Sequence, residues 1–155
     1  MAAELWAMAL SRFRGPTRLM GMNTKGRSTW IWMAGIVLIH LAISVVHGTA
    51  HAKAKVPLSA AANVFVFAVI VTGPLIGLGL MWPAERIGAW LIAWTMAGAL
   101  VFGFVNHFVF ASPDHIAHVD AEWRPLFTTT AVLLALTEAL GFGLAVQILR
   151  ARRLR

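Results

Sequence analysis

Four stretches of this chain, Trp30–Thr49, Ser59–Trp82, Ile87–Phe110 and Leu126–Leu149, stay apolar for roughly 20 residues or more, enough to cross the hydrocarbon core of a bilayer. Lipid offers the backbone no hydrogen-bond partners, so each stretch must be a helix. Apolar residues make up 59% of the 155 and charged residues only 12%, so nothing is left for a soluble domain. The expected organisation is a basic segment over 1–28, a four-helix transmembrane domain over 29–149 and a basic tail over 150–155. Short connections such as Pro83–Arg86 favour antiparallel neighbours. The expected fold is therefore all-α, a polytopic membrane protein with its four helices in an up-down-up-down bundle.

The basic residues orient that bundle. Arg12, Arg14, Arg18, Lys25, Arg27, Arg86, Arg150, Arg152, Arg153 and Arg155 fall on one side, and only Lys53, Lys55 and Arg124 on the other. The positive-inside rule puts both termini in the cytoplasm, as expected of a bacterial inner-membrane protein. Trp30, Trp32, Trp82 and Trp123 lie near span ends, where indole anchors at the interface. The net charge of +7 then faces anionic lipid headgroups and calls for no nucleic acid. The opposite face is balanced by Asp114, Asp120 and Glu122.

The first ten residues carry Glu4 and precede the arginines, the reverse of a secretory signal. Leu5, Trp6, Ala9, Leu10 and Phe13 can form one face of an interfacial helix, with a disordered tail as the plainer reading. Met20 or Met22 is an alternative start. The absence of cysteine excludes disulfides, thiolate metal sites, iron–sulfur clusters and thiol redox catalysis. It also excludes haem attached through Cys-x-x-Cys-His. Any metal must be held by nitrogen and oxygen, with methionine sulfur in reserve.

Polar residues inside such spans carry most of the functional information. His40, Ser44, His47 and His51 share a narrow arc of the first helix, which should face the bundle interior. Of six histidines, His47, His51, His107, His115 and His118 map to the outer side. His47 and His51 form His-x-x-x-His, which can direct two imidazoles at one ion, and helix rise puts His107 at a similar depth. In the loop before the fourth span, Ser112 and Pro113 are suited to start a helical turn. Such a turn would set His115 and His118 on one face, with Asp114 beside them. These residues read as a transition-metal site for copper, zinc or iron, with His47, His51, His115 and His118 as the core set and His107 and Asp114 next. The alternative is haem b held by His47 and His107 in an electron-transfer subunit. A non-catalytic accessory subunit of a larger membrane complex is the reading from a different class.

Glu138 lies near the middle of the fourth span, at a depth comparable to His40. A hydrogen bond between them would satisfy both and could relay protons in a membrane oxidoreductase or metal-dependent enzyme. In the second span, Pro74 should bend the helix, and Gly73 and Gly77 should admit a close neighbour.

Overall fold

The structure, a computed structural model, describes residues 24–151. The proposed interfacial helix of Leu5–Phe13 and the arginines Arg152, Arg153 and Arg155 lie outside the described residues. Four helices follow in order: α1 (Thr24–Lys53), α2 (Ala60–Leu80), α3 (Glu85–Val109) and α4 (Arg124–Ala151). All four are long and apolar enough to cross a membrane, and the described residues contain no strand. The expected spans agree with these helices to within two turns at each end. The chain divides after Ile31 into two units. The first contributes Thr24–Ile31, the opening of α1, and everything below belongs to the second, which starts at Trp32.

In this second unit large apolar side chains point outward. Trp94 is 72% exposed and Trp32 70%, with Val64, Phe67 and Leu140 similarly bare. In water such a surface would aggregate; in a bilayer it is the solvated face. The interior takes one narrow stripe from each helix. On α1 that stripe is Met33, Val37, His40, His47, Ala50 and His51, all buried, a helical periodicity of three and four. The polar arc expected from the sequence therefore does face inward.

Pro74 shapes α2 in a particular way. The helix widens to a π-helix over Val66–Thr72 before resuming at Gly73. Gly73 N–H accordingly reaches back five residues, to the Ala68 carbonyl. Proline has no N–H to return to Ile70, four residues before it. His40 on α1 supplies one instead, its Nε2 donating to the Ile70 carbonyl at 3.1 Å. Just beyond, α3 packs against α2 where side chains are missing. A Cβ on Gly73 would collide with Thr95, and one on Gly77 with Ile92 at 2.6 Å.

α1 ends in a Schellman motif. Val56 N–H bonds the His51 carbonyl at 3.1 Å and Lys55 N–H the Ala52 carbonyl at 3.4 Å. The motif demands a left-handed residue, and Lys55 fills that place with φ 54°. Val56 then packs with Ala54, Ile116 and Trp123 around a small core of Ala50, Val119 and Phe127. That core ties the end of α1 to the loop before α4 and to the first turn of α4.

Candidate metal centre

Each histidine of the inner cluster is held by what surrounds it. Thr130 lies on α4, and its single hydroxyl hydrogen is committed to the Leu126 or Phe127 carbonyl, at 2.8 and 3.0 Å. Its oxygen therefore accepts, and His47 Nδ1 donates to it at 2.8 Å. His107, in the terminal π-turn of α3, has only acceptors at Nδ1: the Asp114 carbonyl at 3.0 Å and Asp114 Oδ1 at 3.3 Å. Both rings thus carry their proton on Nδ1 when neutral, and both leave a lone pair on Nε2. Those two Nε2 atoms face each other at 3.2 Å. Two lone pairs that close repel unless a proton or a metal ion lies between them.

His51 completes the group. The three imidazoles each offer a nitrogen within 4.8 Å of the others, an arrangement able to hold a metal ion. His51 Nε2 lies 3.3 Å from Asp114 Oδ1, while its Nδ1 is buried with no hydrogen-bond partner. Asp114 Oδ1 is likewise buried and completes no well-directed hydrogen bond. Orphaned buried polar atoms are rare in proteins, and a bound ion is one explanation for them. Burial works to raise the Asp114 carboxyl, but the His107 imidazole, with His51 and His47 behind it, holds it below its ordinary value. The Phe127 ring, fully buried, lies 4.7 Å from the centres of His47 and His51 and 5.1 Å from that of His107. It gives the cluster an apolar wall.

The structure brings together four of the six expected ligands. His115 and His118 pair with each other, ring centres 5.5 Å apart, but do not enter the group. Ser112–His115 and His115–His118 each close an i, i+3 turn, but no helix forms there, and Ser112 Oγ caps nothing. The reason lies in His107. The Asp114 carbonyl accepts from its ring and Ile116 N–H bonds its carbonyl at 3.1 Å, so these groups cannot serve a helix. His118 Nδ1 donates to the Ser112 carbonyl at 2.6 Å and His115 Nδ1 accepts from Ala117 N–H at 3.1 Å, so one nitrogen of each ring is held within the loop. Arg124 fastens the same loop from α4, with two nitrogens on the Val119 carbonyl.

Deeper in the membrane domain, Glu138 is buried, and its Oε1 lies 4.0 Å from His40 Nδ1. That separation is too long for a direct hydrogen bond. His40 Nδ1 also approaches the Thr137 hydroxyl at 3.4 Å. A cavity of ≈ 340 Å³ runs beside both sites, lined by residues of all four helices including His47, His51, His107, Asp114 and Glu138. Thr130 and Phe127 were not foreseen as part of the cluster. The available signal was their i, i+3 spacing near the outer end of the fourth span. Comparison with protein-family models, curated proteins and solved structures returned no match.

Proposed function

We propose that this chain is an integral membrane protein whose centre is a transition-metal ion bound by His47, His51 and His107. The observation that carries this reading is the pair of Nε2 lone pairs 3.2 Å apart, each fixed by a donor hydrogen bond on the far side of its ring. Two nitrogens at about 2.0–2.1 Å from one tetrahedral ion stand about 3.3 Å apart. A proton could also settle one such pair, but it would leave His51 Nδ1 without a partner.

In this reading His51 ligates through Nδ1 and turns Nε2–H to Asp114. Asp114 then orients two imidazoles rather than binding the ion, in the carboxylate–histidine–metal arrangement. Three protein ligands leave one position open for chemistry. Copper, zinc and iron all suit imidazole. Axial haem ligands would stand about 4 Å apart, twice a metal–nitrogen bond of about 2.0 Å. The shorter separation therefore favours a bare ion over haem b.

With both termini in the cytoplasm, the centre sits on the exoplasmic side, and the four helices run up-down-up-down. A membrane oxidoreductase or metal-dependent enzyme fits a centre with an open position beside a buried acid. His40, its Nε2–H held by Ile70, turns Nδ1 toward Thr137 and Glu138, where it can exchange a proton with the acid through one water or a small shift. An accessory subunit would have no need of the fixed tautomers of His47 and His107.

Elemental analysis of the purified protein, followed by X-ray absorption, tests the centre. One ion per chain with three nitrogen neighbours at about 2.0–2.1 Å is expected. His47→Ala and His107→Ala should each abolish it. Metal retained at full occupancy in both variants would end the proposal.

A further inference from the structure

The cavity beside the histidines has two glycines on its wall, and both border metal-binding positions. Gly48 follows His47 on α1, and Gly103 precedes His107 by one turn on α3. Glycine inside a helix costs about 1 kcal/mol relative to alanine. At Gly48 no close packing requires it, because a Cβ there would meet nothing within 4 Å. The space a side chain would fill is left open, next to the histidines.

The cavity is shaped for a guest from the bilayer. Phe67 and Phe104 on its rim are 65% and 54% exposed on the lipid-facing surface, and Gly48 and Ala52 are exposed too. From the level of Thr130 to Glu138 the helix rise gives about 12 Å of depth. Between these levels the lining is largely apolar, with Ile70, Phe102 and Leu134 among its walls.

The lining also selects the guest's polar end. It includes no lysine or arginine to receive a carboxylate or phosphate, and it carries two acids. A charged headgroup would lie there unpaired, at high cost. His51 Nδ1, buried without a hydrogen-bond partner, is an acceptor when His51 Nε2–H faces Asp114, and it calls for a donor. We infer that the cavity binds a lipid-soluble alcohol, its hydroxyl beside His51 and Asp114 and its hydrocarbon body directed toward Glu138. The inference rests on the metal reading at one point only. With an ion on His51 Nδ1, the hydroxyl oxygen would take the open metal position.

The test uses the full chain in lipid nanodiscs and a fatty alcohol with a mid-chain diazirine, with its methyl ether as control. On illumination the alcohol should label cavity positions such as Phe102 and Leu134 well above the lipid-facing Leu133 and Leu136. The ether should not discriminate between them. Gly48→Phe should cut cavity labelling roughly tenfold while metal per chain stays the same. Ala135→Phe, which fills the same space from α4, serves should the first variant fail to fold. Equal labelling of cavity and lipid-facing positions, equal labelling by alcohol and ether, or unchanged labelling in both variants would overturn the inference. Metal content on the same samples separates the two readings. Selective labelling of a metal-free chain sinks the metal centre alone, and a metal-bearing chain without selective labelling sinks the cavity proposal alone.

Discussion

Lys55 and Thr130 show how much a single residue does here without touching an ion. Lys55 holds the left-handed position that ends α1, four residues after His51. A side chain there costs about 1–2 kcal/mol, which glycine avoids at the expense of a freer unfolded chain. Lys55→Gly should therefore stabilise the protein by up to about 1 kcal/mol, read from thermal unfolding in detergent; a lower melting temperature would show that the lysine side chain is needed. Thr130 fixes the His47 tautomer from behind. Thr130→Val keeps the shape and removes the acceptor, and such outer partners are typically worth 10–100-fold in metal affinity. A competition titration with a chelator should show a loss in that range. Unchanged affinity would mean that His47 is oriented by packing against Phe127 alone.

At the scale of elements, α2 and the histidine opposite it behave as one device. His40 donates to a carbonyl that Pro74 cannot serve. His40→Ala should cost about 1–3 kcal/mol, the penalty of an unsatisfied buried acceptor. In a Pro74→Ala background a backbone N–H becomes available, and the same change should cost clearly less. A double-mutant cycle on unfolding free energies measures the difference; additive effects would refute the coupling. This partnership was hidden in the sequence. Pro74 announces a bend, but nothing local says that a histidine far away in the chain repairs it. His47, His51 and His107 were legible, because spacing and helix rise alone put them at one depth. His115 and His118 were not, because loop conformation depends on which distant groups claim its carbonyls and amides. The four helices themselves were plain, since lipid leaves an apolar stretch of that length one conformation.

For the whole molecule, the distribution of charge decides which way the centre faces. A reporter fused after Arg155 should behave as cytoplasmic, because the proposed topology sets ten basic residues on one side and three on the other. Periplasmic activity of that fusion would invert the molecule and open the centre to the cytoplasm. The same frame explains the polar economy of the bundle. Among the described residues, the buried polar side chains other than Thr95 gather at two levels, around His47 and around His40, and α1 contributes to both. A helix that lent only apolar contacts to its neighbours would have little reason to keep one register in lipid, where apolar surface favours no partner over another.

The loop from Phe110 to Trp123 is stitched to His107 by Asp114 and Ile116 and to α4 by Arg124. These bonds make it a latch as well as a connection. If an ion behind it leaves by this route and not through the cavity, its residence time would be set by local unfolding and not by the strength of the imidazole bonds. Extraction by excess chelator should then proceed at a rate independent of chelator concentration. That rate should match hydrogen exchange at the Ile116 amide when exchange is limited by opening, and Arg124→Ala should quicken both together.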